Sequence, residues 1–166
     1  MKFRDLKADE IDVRVGIVTD KGISLLLYKN ARVDMDILDE TVGAENWQRK
    51  HLRDNANCIV SIWDDKKQQW IEKEDTGTES NTEKEKGLAS DSFKRACFNW
   101  GIGRELYTSP FIWIPKDKLN FNTSGKITDK FHVLEIEIKD KVITGLEVYN
   151  EKGERVFNFK NGKEVK

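Results

Sequence analysis

Apolar and polar residues alternate along the first predicted element of the chain. From Ile11 to Val18, apolar side chains fall at every second position, which is the period of a half-buried β-strand. Residues 20–22 have the composition of a turn, and the short apolar run 23–28 then predicts an antiparallel partner strand. The sequence therefore predicts an N-terminal β-hairpin.

A helical period follows this hairpin. Between Ala31 and Val42, apolar residues recur three and four positions apart, Asn30 stands at the N-cap position and Gly43 follows the last turn. Arg32 lies in the first turn, where a cation gains nothing from the positive end of the helix dipole. Two interpretations of Arg32 are open at this point. Its side chain is either solvated or salt-bridged, or it is held there to bind a ligand. The acidic residues fall on the other helix faces and are expected to be solvated: Asp34, Asp36, Asp39 and Glu40.

Alternation returns after the first helix and predicts a meander of three strands. These strands are 47–52, 58–63 and 70–73, with a hairpin tip at 64–67. The polar loop 75–80 leads into a second helix. Two overlapping capping-box pairs mark the start of that helix: Ser80 with Glu83, and Thr82 with Glu85.

The second helix has two different faces. One face is an uninterrupted apolar stripe at helical spacing, which predicts the side that packs in the core: Ala89, Phe93, Ala96, Cys97 and Trp100. The opposite face carries the adjacent cations Lys94 and Arg95 with Leu88 and Phe98 among them, a mixture typical of an interface. The alternative is that the long basic side chains cover their apolar neighbours and bind nothing.

Strands dominate the remainder of the chain. Gly101 and Gly103 end the helix, and a short edge segment, 111–114, is flanked by prolines. After a polar loop at 116–130, the predicted strands are 131–138, 142–149 and 155–159. The fold class is therefore α+β, an antiparallel β-meander packed on a long helix with extra C-terminal hairpins. We expect a single domain over residues 1–166, with its core at 11–114 and a hairpin region at 131–160.

Composition limits the classes of function. The chain has 29 lysines and arginines against 30 acidic residues, for a net charge of −1, so any anion-binding site must be local. Its two cysteines have no spacing typical of a zinc site or a disulfide framework. The start of the sequence, Met1–Glu10, has no apolar h-region, which predicts no signal peptide, and no apolar run reaches the roughly 18 residues needed to span a membrane. These features predict a soluble cytoplasmic protein with no membrane association.

Motifs that carry catalysis are missing from the sequence. It contains no phosphate-binding G-x-x-x-x-G-K-[ST] loop, no nucleophile elbow and no Cys/His metal spacing. His51 and His132 are expected to be ordinary strand residues, and a Mg²⁺-dependent nuclease built on Asp34, Asp36 and Asp39 is a distant alternative because these acids scatter around one helix. The chain is predicted to be a binding protein, with no catalytic residues, cofactor or metal.

The run EKGLASDSFKRACFNWGIGRELY resembles the signature of the annealing domain shared by the eukaryotic double-strand-break repair mediator Rad-fifty-two and its phage relatives. Three further segments, which precede this run in the chain, occur in the same order as in that family. They are the strand pair before the first helix, ARVDMDILDETVGAENW, and the strand that ends in EDTGTES. The resemblance covers residues 11–114. The final hairpins are more similar to those of the phage members.

This resemblance implies a β-β-β-α core that assembles into a homo-oligomeric ring. Single-stranded DNA would lie in a positively charged outer groove with its bases exposed for pairing. Lysine and arginine suit that task because they neutralise phosphates without sequence preference. The implied function is ATP-independent binding and annealing of single-stranded DNA in recombination and double-strand-break repair, in a phage-encoded protein acting in the cytoplasm of a bacterial host. A single-strand-binding protein is a candidate further partner.

The resemblance also implies which residues bind DNA. Lys94 and Arg95 match the groove pair of the family, Arg32 matches its arginine from the first helix, and Lys86 matches a groove lysine. Two candidates come from position alone: Arg104, just past the helix stop, and Arg14, on the polar face of the first strand. Leu88 and Phe98 are the candidate contacts between subunits.

The low net charge leaves room for a different function. Repeated weak sites in a ring would multiply the affinity of a modest basic stripe. The alternative is an oligomeric scaffold whose net-acidic surface recruits another recombination protein, with little affinity for DNA.

Overall fold

The structure, a computed structural model, describes residues 1–79 and 84–166. In this part of the chain it contains two α-helices, α1 (Ala31–Val42) and α2 (Lys84–Asn99). The strands are β1 (Asp12–Val18), β2 (Gly22–Tyr28), β3 (Trp47–Leu52), β4 (Asn57–Asp64), β5 (Gln69–Thr76), β6 (Ile112–Pro115), β7 (Phe131–Lys139), β8 (Val142–Asn150), β9 (Arg155–Lys160) and β10 (Lys163–Glu164). Their pairings are antiparallel, which confirms the predicted α+β class.

Contacts divide the chain into two compact units. The helical unit consists of Met1–Arg4 and Asn30–Arg104, and the sheet unit of Asp5–Lys29 and Glu105–Lys166. A single domain over residues 1–166 stays a prediction. None of the described helices is long and apolar enough to cross a membrane.

The helical unit contains the predicted meander, with strand order β3-β4-β5. α2 packs on β4 and β5, while α1 contacts α2 and β3. Both cysteines, Cys58 and Cys97, are buried in this unit. The buried apolar side chains form its core: Val33, Ile37, Leu38, Cys58, Val60, Ile62, Phe93, Ala96 and Cys97.

α1 has the predicted bounds and the predicted N-cap. The side-chain oxygen of Asn30 accepts a hydrogen bond from the backbone N–H of Arg32 at 2.9 Å, and Gly43 has a φ of +86° after the last turn. The expectation that every acid of this helix is solvated is wrong for Asp34, which is fully buried. At about 100° per residue, Asp34 lies between Ile37 and Leu38 around the helix, and both of these are core residues.

The sheet unit is one antiparallel sheet with the order β10-β9-β8-β7-β1-β2-β6. The predicted N-terminal hairpin and the strands predicted at 131–138, 142–149 and 155–159 are confirmed, and β10 is an additional short strand. β6 pairs with β2 at one edge of the sheet and also contacts β9, so the sheet curls. Its core is apolar: Ile11, Ile23, Leu25, Ile112, Ile114, Phe131, Val133, Ile143, Leu146, Val148, Val156 and Phe157.

Candidate nucleic-acid interface

α2 is anchored to its sheet by the apolar stripe predicted from the sequence. Phe93, Ala96 and Cys97 are fully buried, while Ala89 and Trp100 are half-buried. The indole Nε1–H of Trp100 donates a hydrogen bond to the carbonyl of Val60 at 3.0 Å. The core face of the helix is therefore as predicted.

The end of β5 and the loop after it form a clasp over the outer side of α2, through Asp75 in the strand and Gly77 and Thr78 in the loop. Asp75 accepts a hydrogen bond from the amide of Asn99 at 3.2 Å, near the end of the helix. Further along the loop, the backbone N–H and the hydroxyl of Thr78 donate to Asp91 at 2.8 and 3.3 Å. Between these contacts the loop approaches the helix so closely that a Cβ at Gly77 would lie 2.6 Å from the backbone nitrogen of Ser92. This approach requires glycine.

The predicted DNA-binding pair lies beside this clasp. Nε of Arg95 donates to Asp91 at 3.1 Å, one helical turn away, and the two side chains are 39% and 30% exposed. Lys94 is half-buried. A carboxylate therefore holds Arg95 in a fixed orientation and reduces the positive charge that the pair presents.

These same contacts favour the ionised form of Asp91. Burial alone would raise its pKa, but the hydrogen bond from Thr78, the hydrogen bond and charge of Arg95, and the charge of Lys94 together lower the pKa of Asp91 below its usual value. Lys94 and Arg95 both lie within electrostatic reach of this carboxylate. The clasp and the basic pair therefore form one charged cluster.

Two further cations flank α2, and sequence reasoning missed them. Arg49 on β3 and Lys73 on β5 both pair in register with the buried Val60 of β4, so the three residues form one row beneath the helix. The guanidinium of Arg49 lies 4.7 Å from the ring centroid of Phe93, and Nζ of Lys73 lies 5.3 Å from that of Trp100. Both are within the roughly 6 Å range of cation–π contacts.

The signal that could have found Arg49 is the period of two along β3. Trp47 precedes it by two residues and stacks on Phe93, with ring centroids 6.0 Å apart. Alternate residues of a strand share a face, so Arg49 had to lie on the helix side with Trp47. The contact of Lys73 with Trp100 depends on the pairing of β5 with β4, and the local sequence does not specify that pairing.

His51 also lies on the helix side of β3. Its Nδ1 is 3.4 Å from the hydroxyl of Ser92, which donates to the carbonyl of Asn55 at 2.9 Å. Burial and the charge of Arg49 lower the pKa of His51, against a smaller opposing effect from a backbone hydrogen bond with Asn57. Ser92 is fully buried, so this pair packs the helix against the loop and presents no nucleophile to a substrate.

The remaining predicted cations have different environments. Arg32 is exposed at the start of α1, and its side chain makes no hydrogen bond or ion pair with the described residues. Arg104 is also exposed, but its Nε and Nη2 donate to the carbonyl of Phe98 at 3.1 and 2.7 Å. A cation on these last carbonyls caps α2 and complements the negative end of its dipole. This capping role was not foreseen.

Arg14 belongs to the sheet unit. It is exposed on β1, with its guanidinium 5.7 Å from the ring centroid of Tyr28. Lys86 lies in the first turn of α2, and its side chain lies outside what the structure describes, as do the predicted cap residues at 80–83. The candidate interface therefore consists of Lys94, Arg95 and Asp91, with Arg49 and Lys73 on the flanks of the helix.

The candidate subunit contacts are not strongly exposed. Leu88 and Phe98 are both half-buried in the helical unit. The large apolar side chains that are most exposed lie elsewhere, including Phe111 at 71% and Tyr107 at 67%.

The described residues contain no group of three or more His, Cys, Asp or Glu side chains arranged to hold a metal ion. Comparisons with protein-family models, with curated proteins and with solved structures found no match. The resemblance to the annealing domain therefore stays a prediction from the sequence.

Proposed function

We propose that this protein binds single-stranded DNA and anneals complementary strands without ATP, in homologous recombination or double-strand-break repair. The observation that carries the proposal is the adjacent pair Lys94 and Arg95 on a helix whose other side is locked into the core. Arg95 lies opposite the buried Phe93 around the helix, at about 200°. A cation pair on a rigid support neutralises phosphates and leaves base edges free to pair.

The order of elements in the helical unit supports this proposal. β3, β4, β5 and α2 follow one another in the chain, and α2 packs on that meander. The annealing domain that the sequence resembles has the same β-β-β-α order in its core. In this proposal the protein is phage-encoded and acts in the cytoplasm of a bacterial host. It binds DNA and uses neither catalysis nor a cofactor.

The proposal includes a homo-oligomer, with a ring as its expected form and a single-strand-binding protein as a candidate partner. One Lys94–Arg95 pair per subunit offers few phosphate contacts, and a ring would repeat them along one strand. Leu88 and Phe98 are the proposed contacts between subunits. Light scattering with and without single-stranded DNA measures the assembly, and a monomer under both conditions would remove this part of the proposal.

A second function is favoured by the charges around α2. Asp91 offsets Arg95, Arg104 is used as a helix cap, and the whole chain carries a net charge of −1. An oligomeric scaffold that recruits another recombination protein would need no strong DNA site. Such a scaffold would bind single-stranded DNA weakly, with little dependence on salt.

Salt-dependent binding separates the two functions. Each phosphate contact on a single strand contributes about 0.7 to the slope of log affinity against log salt. The double variant Lys94→Ala and Arg95→Ala should therefore lower that slope by about 1.4 for each subunit that contacts the strand, in fluorescence anisotropy titrations of an oligonucleotide. The double variant Lys66→Ala and Lys67→Ala, in the exposed β4–β5 turn, removes the same charge and should leave the slope unchanged. Equal slopes for both double variants would favour the scaffold.

A further inference from the structure

One face of the sheet unit carries exposed aromatic side chains. β2 lies between β1 and β6 in the sheet and pairs with both. Alternate residues of a strand share a face, and one face of these three strands presents large side chains that are exposed or half-buried: Arg14, Leu26, Tyr28, Phe111 and Trp113. Together these five residues form the aromatic face. The proposed interface on α2 does not include it.

Strand register brings the centre of the aromatic face together. Arg14 of β1 pairs with Leu26 of β2, and the neighbouring Leu25 pairs with Ile112 of β6. Phe111 immediately precedes Ile112, so the same antiparallel register places Phe111 opposite Leu26. Directly opposite residues in an antiparallel pair have Cβ atoms about 4.5–5.5 Å apart. Arg14, Leu26 and Phe111 therefore form one row across three strands.

Both ends of this row contact a further aromatic ring. The guanidinium of Arg14 lies 5.7 Å from the ring centroid of Tyr28 and makes no hydrogen bond or ion pair with the described residues. The ring of Phe111 stacks on Trp113, with centroids 6.2 Å apart and planes inclined by 17°. Phe111 is 71% exposed, so much of its ring is open to a ligand.

The charges around the aromatic face favour an anionic partner. Beside it, Trp113 lines a cavity of about 520 Å³ together with polar side chains that are mostly cationic: Lys118, Arg155, Asn158, Glu164 and Lys166. Arg155 is paired with Glu147 at 2.8 Å, and Asp12 is the single acid of β1. An apolar protein surface laid over this face would bury Arg14 without an anion, which is costly. A phosphate would supply that anion.

We propose that the aromatic face binds single-stranded DNA, with a base stacked on Phe111 and a phosphate held by Arg14, which Tyr28 orients. Proteins that bind single strands use such sheet surfaces, with bases stacked on aromatic side chains. Stacking uses the flat side of a base and leaves its pairing edge free, as annealing requires. The inference rests on the proposed function, but the aromatic face includes neither Lys94 nor Arg95.

The test compares two labelled oligonucleotides of equal length. One is an oligodeoxythymidine, and the other is a strand of abasic sites, which keeps the phosphates and lacks the bases. Fluorescence anisotropy gives the affinity for each strand, and the ratio of the two affinities measures the contribution of stacking. We expect the wild type to bind the thymidine strand at least about fivefold more tightly than the abasic strand. Equal affinities would overturn the proposal.

Phe111→Leu removes the ring and keeps an apolar side chain. Because Phe111 is largely exposed, the unfolding midpoint should stay at the wild-type value, whereas the affinity ratio should fall to about two or lower. The matched control is Phe121→Leu, at a phenylalanine that is 43% exposed and lines a different cavity with Val15 and Ile23. This control should keep the wild-type ratio. An undiminished ratio in Phe111→Leu would overturn the proposal.

Arg14→Gln tests the phosphate contact. It should lower the slope of log affinity against log salt by about 0.7 for each subunit that contacts the strand, and it should leave the affinity ratio unchanged. Lys21→Gln, in the exposed β1–β2 turn, removes the same charge and should keep the wild-type slope. Equal slopes for the two variants would remove Arg14 from the proposed contact.

The alternative occupant of the aromatic face is a second copy of the chain. In that case Phe111→Leu would lower the mass of the assembly in light scattering and weaken both strands equally, so an unchanged ratio would overturn the proposal. Lys94→Ala with Arg95→Ala should also weaken both strands and keep the ratio. A protein that anneals strands with a ratio of one would lose only this inference. A protein whose ratio depends on Phe111 and that does not anneal would lose only the proposed function.

Discussion

The two units of the chain treat buried polar groups differently. Around α2 in the helical unit, the hydroxyl of the fully buried Ser92 donates to the carbonyl of Asn55 at 2.9 Å, and the half-buried Asp91 accepts from Thr78 and Arg95. Both described side-chain oxygens that are buried without a hydrogen bond lie in the sheet unit. One of them, Oε2 of Glu105, is 3.8 Å from Nζ of Lys141, and the other is Oδ1 of Asn158.

Satisfied and unsatisfied buried polar groups should respond differently to substitution. A satisfied polar cluster fixes one geometry, and loss of one member costs stability because the other members lose their partner. An unsatisfied buried oxygen costs stability already, so its removal should not harm the fold. Substitutions within the satisfied polar contacts around α2 should therefore destabilise the protein, and Asn158→Leu in the sheet unit should not.

The largest loss of stability is expected from a substitution in the clasp of the helical unit. In Gly77→Ala the new methyl group would lie 2.6 Å from the backbone nitrogen of Ser92 and 3.0 Å from its Cα, so loop and helix must separate. We expect the free energy of unfolding to fall by about 1–3 kcal/mol, as for other overpacked sites. Urea unfolding measures it, with Glu79→Ala, an exposed position two residues later, as the control. Equal midpoints for Gly77→Ala and the control would show that the clasp contributes nothing.

Much of the helical unit could be predicted from the sequence because its signals are local. The bounds of α1, its Asn30 cap and the apolar stripe of α2 depend on residues within a few positions of one another. The helical spacing also places Asp34 between two core residues and could have predicted its burial. The prediction was wrong because it took every acid on that helix to be solvated. Arg104 lies one residue past Gly103, and its capping role depends on the turn that the chain makes there.

The sheet unit could be predicted only in its hairpins. Each hairpin joins neighbouring segments, so alternation and turn residues were sufficient. The pairing of β1 with β7 and of β2 with β6 joins segments about a hundred residues apart, and no local pattern specifies it. The cavity lined by Trp113 and Asn158 depends on that topology, because these two residues lie on β6 and β9.

A smaller effect is expected from Asp91→Asn. The asparagine can still accept a hydrogen bond from Thr78 but loses the charge that faces Arg95. Because the ion pair is partly exposed, we expect a loss of about 0.5–1 kcal/mol in unfolding free energy at neutral pH. Single-stranded DNA should bind about two- to fivefold more tightly, since one negative charge beside the basic pair is removed. Weaker binding would show that Asp91 is needed to position Arg95.

The pH dependence of the same variant tests the charge directly. The pKa of Asp91 is lowered in the folded protein, whereas an aspartate in the unfolded chain has a pKa of about 3.9. The stabilisation from this carboxylate is therefore present above about pH 4 and is lost as the pH falls through the lower, folded-state pKa. Acid unfolding of Asp91→Asn should show a shallower loss of stability below about pH 4 than the wild type. Identical profiles would assign the acid sensitivity to other groups.

The most direct test of DNA annealing is a fluorescence-quenching assay with two complementary oligonucleotides in the absence of ATP. The wild type should accelerate annealing, and Lys94→Ala with Arg95→Ala should lower the rate at least about tenfold through lost phosphate contacts. The control Lys66→Ala with Lys67→Ala should keep the wild-type rate. No acceleration by the wild type, or an undiminished rate after loss of Lys94 and Arg95, would contradict the proposed function.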